Sequence, residues 1–228
     1  MRTTRLMMIT VGWTLGLALL VAIVIAGGTD SSAMDPAQAL ARLMTGNQRF
    51  QKNKLRHPDL DPTRREKLVE GQSPFAAILS CSDSRVPPEL VFDQGLGDLF
   101  EVRLAGNTVT RAGLESIDYA VSHLGTRLIM VLGHESCGAV KAALGECVSK
   151  PATELPEIFA NICPAVEHAR KRAMTDLESG AIDLNVREQV RILERSPIFR
   201  KRFSDGSLKI VGARYNLESG KVDILTGD

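Results

Sequence analysis

Four short runs of apolar residues recur along the chain, and they predict buried strands. They cover residues 75–80, 99–105, 127–133 and 208–215. Within each run the apolar character is continuous rather than alternating, which is typical of strands buried on both faces of a parallel sheet. Because helical stretches such as residues 112–124 separate the runs, the pattern predicts an α/β fold: a mainly parallel central sheet flanked by helices.

Residues typical of helix ends flank these runs, and residues typical of a turn lie near the end of the sequence. Asp35 and Asp61 each precede a proline, the pattern of an N-cap followed by proline in the first turn, and Gly71 follows the second helix as a stop. Amphipathic patterns predict further helices within residues 154–173 and 184–196. The turn-rich residues 216–220 precede a last apolar run at 221–225, so we expect a C-terminal antiparallel hairpin.

The first 33 residues have the features of an export element. No charged residue lies within residues 6–27, and Arg2 and Arg5 precede this stretch. It is long enough to span a bilayer, which favours a retained membrane anchor, whereas the small residues at 31–33 suit cleavage of a signal peptide. Both alternatives stay open. In either case the positive-inside rule places residues 34–228, the predicted catalytic domain, outside the cytoplasm, in the periplasm or its equivalent.

Composition narrows the class of protein. A chain of 228 residues with 44% hydrophobic residues and a net charge of +1 is an ordinary folded protein with no electrostatic case for binding nucleic acid. Its four cysteines are too sparse to make a disulfide scaffold. Cys147 and Cys163 could form a disulfide outside the cytoplasm, but sequence separation does not give the distance between them. We therefore interpret them as two buried free thiols.

Candidate chemistry lies where the first and third apolar runs end. Cys81 directly follows the first run, His134 follows the third, and Cys137 comes three residues later at a predicted helix start. Because the carboxyl ends of parallel strands share one edge of a sheet, these side chains can meet if the two strands are neighbours. Two thiolates and an imidazole suit Zn²⁺ with an open fourth position, the arrangement of a catalytic site. Asp83 and Arg85 place a carboxylate and a guanidinium beside the same point.

These motifs make the resemblance specific: after residue 33 the chain resembles the β-class carbonic anhydrases, zinc enzymes that interconvert CO₂ and bicarbonate. The matching stretches include residues 46–50, 71–89, 97–107, 117–125, 131–140 and 211–222, with CSDSR at 81–85 and HESC at 134–137. The resemblance implies zinc ligands Cys81, His134 and Cys137 and a catalytic dyad of Asp83 and Arg85. The residues that match the family's substrate pocket are Gln72, Phe100, Ala105, Tyr119 and Gly138. Ala105 stands where the family often has valine, which bears on the size of the pocket.

The resemblance also implies a mechanism and a partner. Zinc hydroxide would attack CO₂, Asp83 would orient the hydroxide, and Arg85 would hold Asp83 away from the metal. The smallest working unit in the family is a dimer whose interface lines the active site, so a homodimer or a larger homo-oligomer is implied. Two alternatives remain open: a hydrolase of a CO₂ analogue such as carbon disulfide or carbonyl sulfide, and a membrane-tethered zinc-binding protein without catalysis.

Overall fold

In the part of the chain that the structure describes, five strands form one sheet in the order β2-β1-β3-β4-β5. The computed structural model describes residues 33–225. Strands β1 (Ala76–Ser80), β2 (Leu99–Arg103), β3 (Leu128–His134) and β4 (Lys209–Tyr215) are parallel, and β5 (Val222–Ile224) pairs antiparallel with β4. The predicted fold class is confirmed, including the C-terminal hairpin. Each strand lies within two residues of the bounds that its apolar run predicts.

The helices are α1 (Pro36–Gln51), α2 (Pro62–Lys67), α3 (Pro88–Val91), α4 (Arg111–His123), α5 (Gly138–Ser149), α6 (Glu157–Lys171), α7 (Leu177–Arg195) and α8 (Arg200–Ser204), with short 3₁₀ turns at Ala105–Asn107 and Ala152–Glu154. Asp35 and Asp61 are the N-caps of α1 and α2, as their sequence context predicts. Helix α7 begins seven residues before the predicted start, because the carboxylate of Asp176 caps an earlier turn by accepting the N–H of Ser179 at 2.9 Å.

The two central strands, β1 and β3, are buried along their whole length. Ile78 and Leu132 face a core layer formed with α1, whereas Leu79 and Val131 face the opposite layer, formed with α4 and α7. Each face of these strands therefore contacts a helix layer, which explains why their apolar runs are continuous. Burial of each such aliphatic side chain contributes about 1.5–3 kcal/mol.

Two glycines let α7 pack closely against the sheet. A Cβ atom at Gly133 would lie 2.4 Å from Cγ2 of Val186, and one at Gly212 would lie 2.9 Å from Cγ1 of the same residue. These distances are too short for any larger residue without movement of the helix. Val186 on α7 therefore packs against β3 and β4. Its contact on β3 is Gly133, the residue directly before His134.

A disulfide joins Cys147 on α5 to Cys163 on α6, with their Cα atoms 5.5 Å apart. The interpretation of these residues as two free thiols is therefore wrong. The physical reason is that α5 and α6 pack against each other, which brings together positions 16 residues apart in sequence. Cys81 and Cys137 are free and buried.

Within residues 33–225, no helix is both long enough and apolar enough to cross a membrane. The predicted signal peptide or membrane anchor falls almost entirely on residues 1–32, which lie outside the described residues. That interpretation, and the domain boundary at residue 33 that depends on it, stay predictions.

Candidate metal centre

The order of the strands brings three metal-ligating side chains together. Because β1 and β3 are parallel neighbours with Ser80 opposite Leu132, Cys81 and His134 reach the same edge of the sheet. Cys137 is the N-cap residue of α5 and faces the same point. The two sulfur atoms lie 4.0 Å apart, and all three ligand atoms are within 4.8 Å of one another.

His134 is fully buried, and its ring is oriented by one hydrogen bond. Its Nδ1 atom lies 2.8 Å from the backbone oxygen of Glu135, which favours the tautomer in which Nδ1 carries the proton. The Nε2 atom is buried and has no hydrogen-bond partner among the described residues. A buried imidazole nitrogen left unpaired beside two thiols is what a bound metal ion would satisfy.

The thiol groups differ in acidity. A hydrogen bond with Cys137 is the main cause that lowers the pKa of Cys81 to about 4, and burial opposes it. The N–H of Gly106 also donates to the Cys81 sulfur, at 3.3 Å. The same thiol–thiol interaction raises the pKa of Cys137. One thiolate therefore forms readily, and a divalent cation would supply the charge that deprotonates the second.

Asp83 and Arg85 form a bidentate ion pair beside this centre. The guanidinium donates from Nε to Oδ1 at 2.9 Å and from Nη2 to Oδ2 at 2.7 Å. These hydrogen bonds hold the pKa of Asp83 well below its usual range. The Oδ2 atom lies 3.8 Å from Nε2 of His134, so the carboxylate borders the point on which the ligand atoms converge.

Arg103, which the sequence reasoning missed, braces the loop that carries Cys81 and Asp83. Its guanidinium donates to the backbone oxygen of Cys81 at 3.2 Å and to that of Asp83 at 2.7 Å. Its signal in the sequence is an arginine within a run of mostly apolar residues, where a charged side chain needs a polar partner. Arg103 therefore holds the backbone that carries Cys81 and Asp83.

The five residues matched to a substrate pocket are less closely grouped. Ala105 lies in the 3₁₀ turn beside Gly106, and Gly138 directly follows Cys137. The rings of Phe100 and Tyr119 are 6.2 Å apart, and Tyr119 is 49% exposed. Gln72 is exposed and lines a surface cavity of about 480 Å³ whose lining includes no member of the metal centre.

The sequence is similar to known enzymes over most of its length. The profile of the family described as carbonic anhydrase matches residues 76–222. Carbonic anhydrase 2 of Mycobacterium tuberculosis (strain CDC 1551 / Oshkosh) is 40% identical over 190 residues, which cover 82% of this chain and 91% of the relative.

Solved structures share the fold. The β-carbonic anhydrase CcaA superimposes with a TM-score of 0.63 at 28% identity, over 82% of this chain and 99% of that chain. A β-carbonic anhydrase of the filamentous ascomycete Sordaria macrospora, one of two described as tetrameric, aligns with a TM-score of 0.59 at 23% identity. The alignment covers 83% of this chain and 94% of that chain. The latter similarity concerns the fold alone.

Proposed function

This chain belongs to the β-class carbonic anhydrase family, and on that premise we propose that it hydrates CO₂ reversibly to bicarbonate and a proton at a zinc ion held by Cys81, His134 and Cys137. The observation that carries the proposal is the buried, unpaired Nε2 atom of His134 facing two free thiols. Tetrahedral zinc with Zn–S bonds of about 2.3 Å separates two sulfur ligands by about 3.8 Å. The observed separation of 4.0 Å fits this geometry.

Zinc at this position would lower the pKa of a water molecule so that hydroxide is available to attack CO₂ near neutral pH. The protein's part is to keep a fourth position open and to orient what enters it. Three protein ligands, rather than four, satisfy the first requirement. Asp83, held by Arg85 beside the ligand atoms, would satisfy the second.

Asp83 is suited to orient the nucleophile because it stays ionised. An ionised carboxylate only accepts hydrogen bonds, so Asp83 would accept one from the attacking group and direct a lone pair of that group at the carbon of CO₂. Arg85 engages both of its oxygens and also donates to the backbone oxygen of Ser136, at 3.2 Å. This grip would hold Asp83 beside the metal position without letting it become a ligand.

The substrate is small and uncharged, so its pocket needs apolar walls. Phe100, Ala105 and Tyr119 supply such walls, and the side-chain amide of Gln72 would donate a hydrogen bond to a substrate oxygen. Gln72 and Tyr119 are exposed in a single protomer. We therefore propose a homodimer or larger homo-oligomer in which a second copy completes the pocket. The exposed side chains Leu60, Leu90 and Leu96, which line one groove of about 320 Å³, support a buried interface.

We also propose that the catalytic domain works outside the cytoplasm, exported or anchored by residues 1–33. The Cys147–Cys163 disulfide supports this location, because such bonds persist in oxidising compartments. Protease added to intact spheroplasts should degrade the domain. Complete protection, with degradation only after lysis, would place the domain in the cytoplasm.

The direct test of function is zinc content together with the CO₂ hydration rate of the purified full chain. We expect one zinc per chain, loss of activity on removal of zinc by a chelator, and recovery when zinc is restored. Carbon disulfide and carbonyl sulfide serve as competing substrates in the same assay. Turnover of these compounds without CO₂ hydration would refute the proposed substrate, and bound zinc without any turnover would favour the non-catalytic alternative.

A further inference from the structure

The turn that joins two of the ligands is strained. His134 and Cys137 are separated by Glu135 and Ser136, and Ser136 adopts a φ of 50°. This left-handed region favours glycine, so a serine there costs about 1 kcal/mol or more. Such a conformation persists only when its surroundings fix it. Since the ligands stand at the two ends of this turn, whatever fixes it also fixes the distance between them.

Two sets of hydrogen bonds hold this turn: one comes from Arg85, and the other comes from residues at the end of β4. Arg85 donates to the backbone oxygen of Ser136. On the other side, the carboxylate of Glu135 accepts hydrogen bonds from Nδ2 of Asn216 at 2.8 Å and from Nη2 of Arg214 at 3.2 Å. The backbone N–H of Glu135 donates to the oxygen of Tyr215 at 3.0 Å. The turn is therefore attached to the end of β4.

Arg214 connects the turn to a rigid part of the fold. Its Nη1 atom donates to Oγ of Ser179 at 2.8 Å and to Oδ1 of Asp183 at 3.1 Å, both on α7. Helix α7 is itself held against β3 and β4 by Val186, which packs against Gly133 and Gly212. In the sheet, Arg214 lies directly opposite Gly133, the residue before His134. One side chain thus spans the strand, the helix and the ligand turn.

Arg214 also balances charge at this place. Its side chain is 20% exposed, and it is paired with the carboxylates of Glu135 and Asp183, which are each about a third exposed. Asp176 and Glu178 line a hollow of about 350 Å³ together with Glu135 and Arg214. Removal of the guanidinium would leave the carboxylate of Glu135, in the ligand turn, facing the carboxylate of Asp183 on α7 without a cation between them, and their repulsion would push the turn away from α7.

We propose that Arg214 is a positioning residue for the metal centre: it holds Glu135 so that the strained turn keeps His134 and Cys137 aimed at one metal ion. The inference rests on the proposed function, because it assumes that zinc is the group these ligands hold. Arg214 acts through Glu135 and touches neither substrate nor metal. Its loss is expected to weaken metal binding and to change the ligand geometry, while the fold stays intact.

The test compares Arg214→Ala with Arg191→Ala in the full chain. Arg191 is a suitable control because it pairs with Glu188 within α7, at 2.6 Å, and has no contact with the ligand turn. Zinc affinity is measured by competition with a chromophoric chelator, and the absorption spectrum of the cobalt-substituted protein monitors the two-sulfur, one-nitrogen ligand geometry. We expect Arg214→Ala to lower zinc affinity about ten- to a hundredfold and to change the cobalt bands, as loss of an outer-shell partner does.

Arg191→Ala is expected to match the wild type in both measurements. Arg214→Lys keeps the charge, but one ammonium nitrogen replaces the two guanidinium nitrogens that contact α7 and Glu135 separately, so it should lose affinity by a smaller factor. Where the alanine variant does not fold, Arg214→Lys decides the question. Unchanged zinc affinity and unchanged cobalt spectra in the Arg214 variants would overturn the inference.

The outcomes separate this inference from the proposed function. If the wild type binds zinc but does not hydrate CO₂, the proposed function fails, and the affinity comparison still decides the role of Arg214. If the wild type hydrates CO₂ and Arg214→Ala keeps full zinc affinity, only the role of Arg214 is refuted.

Discussion

The metal centre and the substrate side of this protein are built in different ways. Cys81, His134 and Cys137 are buried, converge within one protomer and are braced by hydrogen bonds from neighbouring backbone and side chains. On the substrate side, Tyr119 and Gln72 are exposed, and Gln72 lines a cavity apart from the metal ligands. One chain is enough to bring the three candidate ligands together, whereas two of the residues proposed for the pocket stay exposed in one chain.

Replacement of a ligand should have the largest effect, because the metal centre is self-contained. In Cys81→Ser a neutral hydroxyl takes the place of a thiolate. Structural zinc sites in small peptides bind with about 10–16 kcal/mol in total, so we expect loss of one of three ligands here to cost on the order of 3–5 kcal/mol, or about a thousandfold in affinity. We expect nearly complete loss of zinc and of CO₂ hydration, measured by metal analysis and stopped-flow assay.

Cys147→Ser is the matched control, since it removes one sulfur atom of the disulfide, frees the Cys163 thiol and leaves the candidate ligands in place. Its zinc content should equal that of the wild type. Stoichiometric zinc and normal turnover in Cys81→Ser would show that Cys81 is not a ligand. The metal centre would then not be the self-contained region that the comparison assumes.

Arg85→Ala tests the boundary between the two regions. Without the guanidinium, Asp83 loses the bonds that keep it off the metal and becomes free to occupy the fourth position. We expect turnover to fall at least about a hundredfold through misplacement of a catalytic group, while zinc stays bound. Zinc analysis combined with X-ray absorption should show an additional oxygen ligand from the protein. An unchanged coordination sphere with a near-normal hydration rate would show that Arg85 forms only a surface ion pair.

Tyr119→Ala tests the other side of the comparison. If a second copy covers this ring, its removal opens the pocket wall and weakens the interface without touching the metal. We expect kcat/KM to fall about tenfold, which corresponds to about 1.4 kcal/mol, with zinc content unchanged. Sedimentation velocity should show a larger fraction of monomer than in the wild type.

Phe203→Ala is the control for Tyr119→Ala, because Phe203 is also a partly exposed aromatic residue but lies on α8. If Tyr119→Ala and Phe203→Ala behave alike in both assays, the substrate side does not depend on a second copy at this ring.

The smallest expected effect concerns pH and the strand that carries Phe100. Burial, together with the nearby Glu89, raises the pKa of Glu101 on β2 to about 8, whereas a free glutamate titrates near 4.5. Because the folded pKa is the higher one, the stabilising contribution is complete below about pH 4.5 and is lost as pH rises through about 8. Thermal melts between pH 5 and 9 should therefore show a fall in Tm that is weaker in Glu101→Gln than in the exposed control Glu66→Gln. Equal pH dependence in the two variants would contradict this titration.

The sequence predicted the sheet and the ligand convergence, because both depend on local patterns. Strands β1 and β3 are buried on both faces, so their apolar runs are continuous. Cys81 directly follows β1, and His134 is the last residue of β3. The disulfide was not predictable, since it depends on how α5 packs on α6. The support from Arg214 joins residues some 80 positions apart, and no spacing rule links them. Helices α3 and α8, of four and five residues, are too short to show periodicity.

The disulfide has a consequence for how the protein matures. The structure has one cysteine pair oxidised, Cys147 with Cys163, and another pair reduced, Cys81 with Cys137, whose sulfur atoms are only 4.0 Å apart. An oxidant that forms the first bond also endangers the second pair, whose easily formed thiolate at Cys81 is the reactive species in disulfide exchange. A metal ion that engages both sulfurs before oxidation removes this conflict. On the proposed function, the order of metal loading and oxidation would determine which molecules become active after synthesis.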